Sequence, residues 1–280
     1  MNAMDSHLEV AVEAAREAGA ILVAELARPV SINYKGDVDI VTQADGRSEQ
    51  AIMSRLRNHF PRHAIVAEES GAHAAAASGT RFCWYVDPLD GTTNFAHGFP
   101  WFCVSIALAE GPAGNEELLA GVIYQPLTDE LFTAARGEGA YLNNKRIHVS
   151  GVAKLATSLL GTGFPAHKRA QNPNIHFYWN FTLRSHGVRR AGSAALDLAA
   201  VACGRFDGFW EFGLHPWDTA AGVLLVREAG GAVTNFAGEP YRLGMRECLA
   251  SNSRIHEEMR AVAEQVSHTP PSAPFLEPLR

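Results

Sequence analysis

Residues 84–95 read Trp-Tyr-Val-Asp-Pro-Leu-Asp-Gly-Thr-Thr-Asn-Phe, and this stretch decides how the chain is interpreted. Nearly every residue that leads up to Asp87 is apolar or aromatic, which predicts a strand buried on both faces. We expect the strand to stop at this carboxylate, because a proline, a second carboxylate at Asp90 and a Gly-Thr-Thr turn follow. The sequence therefore predicts two acids close together where a buried strand ends.

The two acids indicate a particular chemistry. Carboxylates held close together repel each other unless a cation neutralises them, and ligands that offer only oxygen favour a hard ion such as Mg²⁺. Gly91, Thr92 and Thr93 add backbone N–H groups and hydroxyls that suit a phosphate oxygen. We therefore expect a metal and a phosphate here. The alternative is a plain surface turn, since Asp-Pro-x-Asp-Gly also favours turns.

Composition limits the classes of protein that the chain can be. Its 280 residues fit one large domain or two small ones, and 47% of them are hydrophobic, which is enough for a sizeable core. The net charge of −6 argues against a nucleic-acid partner. We expect four free cysteines, no signal peptide and no membrane span, and hence a cytoplasmic protein.

Apolar periodicity and turn residues predict alternating helices and strands. Helices are predicted over residues 7–27, 44–59, 193–203 and 217–229. Strands are predicted over residues 65–67, 82–87, 102–109, 119–124, 130–134, 159–162 and 206–212. We expect a loop over 71–80 and a turn over 137–144. The alternation lacks a regular βαβ rhythm, so it favours layered mixed sheets over a barrel.

Four acids lie at the ends of these predicted elements, where distant parts of the chain can converge. Glu68, Asp87 and Asp90 follow strands, and Asp218 begins a helix. Each has a simpler interpretation: Glu68 as an exposed loop acid, and Asp218 as an acid that stabilises a helix N-terminus. Position alone leaves these alternatives open.

The motifs of the chain form an ordered set. They are Lys35 followed by Asp-Ile-Val-Thr-Gln-Ala-Asp at 39–45, Ile-Val-Ala-Glu-Glu-Ser at 65–70, Asp-Pro-Leu-Asp-Gly-Thr-Thr-Asn-Phe at 87–95, Arg-Ala-Gly-Ser-Ala-Ala-Leu at 190–196 and Trp-Asp-Thr-Ala-Ala-Gly at 217–222. Together they resemble the motifs of the inositol monophosphatase family, over nearly the whole chain. The resemblance implies an α/β fold of layered αβαβα sandwich type and a phosphomonoesterase that uses Mg²⁺.

The resemblance also implies an organisation. We expect one domain over residues 1–268, followed by a Pro-rich tail over 269–280. Its N-terminal half, about 1–150, would carry most metal ligands, and its C-terminal half, about 151–268, would carry the substrate residues and Asp218. A lithium-sensitive homodimer is expected by the same likeness.

The family's metal ligands can be carried over residue by residue. By resemblance, Glu68, Asp87 and the backbone carbonyl of Leu89 hold one Mg²⁺. Asp87, Asp90 and Asp218 hold a second, so Asp87 bridges the two ions. A third, weaker ion near Glu68 brings the expected total to two or three per site.

The remaining roles concern the attacking water and the phosphate. By resemblance, Asp45 and Thr92 position and deprotonate the water, and the N–H groups of Gly91 and Thr92 hold the phosphate. Glu68 belongs to the catalytic set as well as to the metal site, and Lys35 is a counter-charge near the acids.

The substrate side is expected to recognise a phosphorylated polyol or sugar. By resemblance, Gly192, Ser193, Ala194 and Glu211 face its ring, and Asp90, Gly91, Thr92 and Asp218 complete the substrate site. The implied reaction is hydrolysis of myo-inositol-1-phosphate to inositol and phosphate by a metal-activated water. The alternatives are fructose 1,6-bisphosphate, histidinol phosphate, a nucleotide 3′-phosphate or NADP as substrate, or a regulatory binding protein.

Overall fold

The computed structural model describes residues 3–27, 32–35, 39–73, 81–164 and 174–268. For residues 3–5, 32–35 and 39–42 it describes the backbone alone. The predicted tail at 269–280, and residues 74–80 of the predicted loop, lie outside the described residues.

The helices of the described residues include all four that the sequence predicts. In chain order they are α1 (Ala3–Leu26), α2 (Gln43–His59), α3 (Thr92–Ala96), α4 (Asn174–Arg184), α5 (Ala194–Ala202), α6 (Pro216–Glu228) and α7 (His256–His268). Pro216 starts α6, where its missing N–H costs nothing. Within the described ranges, no helix combines the length and the apolar character needed to cross a bilayer.

The strands are short, and most of them are antiparallel. They are β1 (Ile32–Lys35), β2 (Asp39–Thr42), β3 (Ala64–Ala67), β4 (Gly71–His73), β5 (Phe82–Asp90), β6 (Cys103–Glu110), β7 (Glu117–Gln125), β8 (Glu130–Ala135), β9 (Gly139–Leu142), β10 (Lys145–Ile147), β11 (Leu159–Thr162), β12 (Gly187–Arg189), β13 (Gly208–Phe212), β14 (Ala232–Thr234) and β15 (Glu247–Ser251).

Two sheets and three helix pairs form five layers. An eight-stranded sheet has the order β10-β9-β8-β7-β6-β5-β3-β4, a five-stranded sheet has the order β12-β11-β13-β15-β14, and β1 pairs with β2. Helices α1 and α2 pack on one face of the large sheet, α5 and α6 pack between the two sheets, and α4 and α7 pack at the outer face of the small sheet. The predicted αβαβα sandwich is confirmed.

Strand β5 shows why the sequence forms these layers. Trp84 and Val86 pack in the core beneath α1 and α2, whereas Tyr85 packs in the core that contains α5 and α6. Alternate side chains of a strand point to opposite faces, so an unbroken apolar run is what a central strand with helices on both sides requires. This confirms the predicted burial on both faces.

The predicted end of β5 is wrong. The strand continues to Asp90, and its pairing with β6 shifts by one residue, because Asp87 lies opposite Ser105 while Asp90 lies opposite Cys103. The extra residue is a β-bulge, and Pro88, which has no N–H to donate to the ladder, lies within it. The two acids therefore belong to a kinked strand rather than to a turn beyond it.

Two other predictions are corrected. Gly71–His73, expected in a loop, forms β4, which pairs antiparallel with β3. The expected turn at 137–144 contains β9, which separates a turn over 136–138 from a second reversal at Asn143 and Asn144, with φ angles of 49° and 63°. Asparagine tolerates this left-handed backbone, so a two-residue hairpin turn can form there.

Candidate active site

The four predicted acids meet where the end of β5 faces the start of α6. Asp87 is buried, with 2% exposure, whereas Glu68, Asp90 and Asp218 are partly exposed. Burial raises the pKa of Asp87 well above its usual value, and the charges of the other three acids raise it further. The charges of Glu68, Asp90 and Asp218 thus all act on Asp87, and these three acids are partly exposed to solvent.

Glu68 and Asp87 interact directly. The charge of Glu68 raises the pKa of Asp87, and Asp87 Oδ1 accepts a bond of 3.0 Å from the N–H of Leu89. Loss of water raises the pKa of Glu68 to about 7. Neighbouring carboxyls with raised pKa values take up a proton readily, and a bound cation would relieve the same repulsion.

Asp90 is held by the N-terminus of α5. Its Oδ2 accepts bonds of 2.7 Å from Ser193 Oγ and 2.7 Å from the N–H of Ala195. Loss of water raises the pKa of Asp90 to about 6, although these two donors lower it in part. The helix therefore stabilises the ionised form of an otherwise unfavourably placed acid.

Asp218 begins α6, as the sequence predicts. Its Oδ2 accepts a bond of 2.7 Å from the N–H of His215, the residue that caps the helix. Burial raises its pKa well above the usual value, and the charge of Asp90 raises it further. Asp218 is therefore both a helix N-terminal acid and a member of the acid cluster, so the two interpretations are compatible.

Thr92 and Asp45 are in contact. The Thr92 hydroxyl lies 3.3 Å from Asp45 Oδ1 and 3.1 Å from the carbonyl oxygen of Leu89, and Asp45 is fully buried. The hydroxyl has one proton and two acceptors. It can donate fully to Asp45 only when the Leu89 carbonyl is otherwise engaged.

Gly91 needs to be glycine. Its φ is 99°, and a Cβ atom there would lie 2.8 Å from the carbonyl oxygen of Trp101. The positive φ lets the chain turn sharply from β5 into α3, so that Thr92 comes back towards Leu89. The close packing explains how the Gly-Thr-Thr segment is kept next to the acids.

The predicted substrate segment lies beside this loop. Gly192 has a φ of 91°, and a Cβ there would lie 3.1 Å from Asn94 Nδ2. Ser193 caps α5 by accepting a bond of 3.2 Å from the N–H of Leu196, while it donates to Asp90. Ala194 is buried at the first position of the helix. The segment is therefore joined to the acid cluster through Ser193.

Glu211 lies on β13 and is buried, with 9% exposure. Burial raises its pKa well above the usual value, and the charges of Asp197 and Asp218 raise it further, while Arg190 lowers it. Gly163 makes room for the carboxylate, because a Cβ at that position would lie 2.1 Å from Glu211 Oε1. The structure thus places Glu211 next to the acid cluster.

Lys35 lies in β1, whose side chains are outside the described part of the chain. Its predicted role as a counter-charge stays a prediction.

Sequence reasoning gave no role to three residues that contact the site. Asn94 Nδ2 donates to the carbonyls of Trp101, at 2.7 Å, and Ala191, at 2.9 Å. Ser48 and Glu49 of α2 bond to the backbone next to the acids. The signal for the α2 residues was present, because polar residues at helical spacing interrupt an apolar stripe.

The donor set fits a hard cation. Carboxylates and backbone carbonyls are the oxygen ligands that Mg²⁺ takes, and like-charged acids that raise each other's pKa are what a cation would relieve. Among the described residues, no group of three or more His, Cys, Asp and Glu side chains is arranged so that it could hold a metal ion as it stands. The acids therefore fit such an ion in chemistry and would adjust on binding it.

Known proteins are similar to this chain in sequence and fold. The family model described as the inositol monophosphatase family matches residues 3–268. The chain is 43% identical over 275 residues to "Nus factor SuhB" of Pseudomonas aeruginosa, covering 96% of this chain and 99% of that protein. It is 44% identical over 259 residues to "Inositol-1-monophosphatase" of Synechocystis sp., covering 91% and 88%.

A solved structure agrees with these matches. The inositol monophosphatase from Anabaena (Nostoc) sp. superposes with a TM-score of 0.83 at 43% identity, over 94% of this chain and 97% of that one. Sequence, fold and the acids at the end of β5 are consistent with one another. The chain belongs to the inositol monophosphatase family, whose members are Mg²⁺-dependent phosphatases.

Proposed function

We propose that this phosphatase hydrolyses myo-inositol-1-phosphate to inositol and phosphate within one domain over residues 1–268. The observation that carries the proposal is the cluster of Glu68, Asp87, Asp90 and Asp218, whose charges raise the pKa of Asp87. The contact between Thr92 and Asp45 supports it further. A phosphate monoester needs both neutralising cations and a positioned water, and these residues can serve the two needs.

The acids would hold Mg²⁺ in two positions. Glu68, Asp87 and the carbonyl of Leu89 would bind one ion, and Asp87, Asp90 and Asp218 would bind the second. The bound ions would neutralise the phosphate, lower the pKa of a water and stabilise the leaving alkoxide. A third ion near Glu68 is part of the proposal.

Thr92 and Asp45 would act on the attacking water. The threonine hydroxyl stays protonated near neutral pH, and its neutral oxygen is too weak a base to remove a proton by itself. With the hydroxyl donating to Asp45, its lone pairs would accept a hydrogen bond from the water and orient it. In that contact the ionised Asp45 carboxylate can only accept, so the hydroxyl is the donor.

Glu211 would select the alcohol part of the substrate. A carboxylate accepts hydrogen bonds from sugar or inositol hydroxyls, and Arg190 supplies a nearby positive charge. Specificity depends on such contacts at the rim of the site rather than on the metal core. This is why inositol is proposed over histidinol, which has no ring of hydroxyls to offer.

A substrate panel tests the proposal. Phosphate release would be measured from myo-inositol-1-phosphate, fructose 1,6-bisphosphate, histidinol phosphate, a nucleotide 3′-phosphate and NADP. The Glu211→Gln variant should lose turnover of the inositol ester, while Glu138→Gln, an exposed acid in the turn between β8 and β9, should not. Inositol phosphate turnover that is indifferent to Glu211→Gln would show that the polyol assignment is wrong.

A second candidate is a regulatory binding role. The observation that favours it is the 43% identity to the protein named "Nus factor SuhB". If this role holds, components of the transcription machinery should be captured equally by the wild-type chain and by Asp87→Asn, since binding would not need the acids. Absence of capture by either would remove this candidate.

A further inference from the structure

Helix α2 carries three buried polar residues on one face. Asp45 and Ser48 are fully buried and Glu49 is 5% exposed, at spacings of three and four residues that place them side by side. Ile52 and Leu56 continue the same face as ordinary core residues. A buried carboxylate is unfavourable unless it is well bonded, so the position of Glu49 needs a reason.

Each of the three residues reaches a different segment of the candidate active site. Asp45 contacts the Thr92 hydroxyl at the start of α3. Ser48 Oγ donates a bond of 2.8 Å to the carbonyl of Pro88 in the bulge of β5. Glu49 Oε2 accepts a bond of 2.8 Å from the N–H of Glu69, just after β3. One helix face therefore contacts all three backbone segments that surround the acids of the N-terminal half.

The bond from Glu49 acts on Glu68 in particular. The N–H of Glu69 belongs to the peptide that follows Glu68, and the N–H of Glu68 itself donates to the carbonyl of Val86 at 3.1 Å. The peptides on both sides of Glu68 are thus fixed, one by the sheet and one by Glu49. Fixing both peptides restricts φ and ψ, and with them the direction of the Cα–Cβ bond from which the side chain of Glu68 starts.

We propose that Glu49 and Ser48 are positioning residues, which hold the backbone of Glu68 and of the Asp87–Leu89 bulge ready to receive the divalent cation. The position of that cation is taken from the proposed function, and this proposal rests on it. Partners that orient metal ligands contribute strongly to affinity, because a ligand that is already aimed loses less freedom on binding.

The test measures Mn²⁺ binding to the EDTA-dialysed full chain by electron paramagnetic resonance, with phosphate release at varied Mg²⁺ as a second readout. Glu49→Ala should weaken Mn²⁺ binding and raise the half-saturating Mg²⁺ about tenfold or more. Glu49→Gln, which keeps an acceptor oxygen, should fall between Glu49→Ala and the wild type. Turnover at saturating Mg²⁺ should change far less than the half-saturating concentration.

Matched controls come from the exposed face of the same helix. Gln50→Ala and Ser54→Ala should bind Mn²⁺ as the wild type does. A merely structural role of Glu49 would lower the melting temperature and leave metal affinity unchanged, and that result would overturn the proposal. If Glu49→Ala does not fold, Ser48→Ala decides: about threefold weaker Mn²⁺ binding supports the proposal, and unchanged binding overturns it.

The outcome for the wild type separates the two proposals. A wild-type chain that binds Mn²⁺ but releases no phosphate would refute the proposed function and leave the positioning roles to be judged by metal affinity. A wild-type chain that binds no Mn²⁺ would overturn both.

Discussion

The four acids of the candidate active site form two pairs that the fold stabilises differently. The charge of Glu68 raises the pKa of Asp87, and the pKa of Glu68 is itself raised by loss of water. Asp90 and Asp218 accept hydrogen bonds from backbone N–H groups at the N-termini of α5 and α6. Repulsion within the first pair favours its neutralisation by a proton or a cation, whereas peptide dipoles at helix N-termini offset part of the cost of charge in the second.

Acids of the same site can therefore have different roles, one in cation binding and one in connecting parts of the chain. The Glu68–Asp87 pair is costly without a cation, so its repulsion is relieved when the ion binds. The Asp90–Asp218 pair ties the two halves of the chain together even without an ion, since Asp90 on β5 bonds to the start of α5. Removing one acid from each pair should therefore have different effects.

The largest effect is expected for Asp87→Asn. We expect phosphate release in Mg²⁺ to fall about a hundredfold or more, because this acid would bridge both ions. In EDTA the melting temperature should rise, since a neutral amide removes repulsion from Glu68, Asp90 and Asp218. Enzyme assays and thermal melts check both effects, with Glu138→Gln as the control.

A second variant, Asp90→Asn, tests whether the two pairs of acids differ. Its gain in melting temperature in EDTA should be smaller than that of Asp87→Asn, because Ser193 and Ala195 already offset part of the cost of its charge. An equal or larger gain would mean that the two pairs do not differ.

A smaller effect is expected where the two regions are joined. Asn94→Ala removes the amide that bonds to the carbonyls of Trp101 and Ala191 and so connects the Gly-Thr-Thr loop to the substrate segment. We expect kcat/KM to fall about tenfold, mostly through KM, because the two segments lose their fixed separation. Kinetics of the variant test this, with Asn58→Ala on the exposed face of α2 as the control. Unchanged KM would contradict it.

The pH dependence of stability follows from the raised acids. The pKa of Glu68 is raised to about 7 and that of Asp90 to about 6, so the unfolded chain binds fewer protons than the folded one between about pH 4.5 and 7. Stability in EDTA should therefore fall as pH rises through this window. Thermal melts from pH 5 to pH 8 measure the loss, and Mg²⁺ should reverse it at pH 8. A melting temperature that rises with pH across the same range in EDTA would contradict the raised pKa values of these acids.

The smallest effect concerns a histidine outside the site. Trp84 Nε1 donates to His63 Nδ1 at 3.1 Å, and burial lowers the pKa of His63 to about 4. At this residue the unfolded chain binds more protons than the folded one between about pH 4 and 6.5, so the contribution of His63 to stability is lost as pH falls through this window. Between pH 7.5 and pH 5, the melting temperature of His63→Phe should change more favourably than that of the wild type in the same buffer. Equal changes would contradict the assignment.

The sequence predicted best where local pattern and motif agree. Helices α1, α2, α5 and α6 have apolar periodicity or clear start and stop residues, and local signals of that kind do not depend on the rest of the fold. The motif that ends β5 likewise identified the acids. Short strands such as β4, at the edge of the large sheet, and β9, next to its other edge, were not predicted because three or four residues give too little periodicity to detect.

Features that depend on long-range contacts could not be predicted from the sequence either. The bulge at Pro88 depends on how β5 pairs with β6, which no local pattern reports. Asn94 lies within the motif but acts on Ala191, nearly a hundred residues away, and its role emerges only when the two segments are packed together. Convergence of the four acids was predicted by resemblance, whereas their division into two pairs needed the structure.

The most direct test is a Mg²⁺ titration of phosphate release from myo-inositol-1-phosphate, by the wild type and by Asp87→Asn, each beside an EDTA control. The account predicts saturable, EDTA-sensitive release by the wild type and about a hundredfold less release, or worse, by the variant at every Mg²⁺ concentration. Release by the variant at the wild-type rate, or wild-type release that EDTA does not abolish, would contradict it.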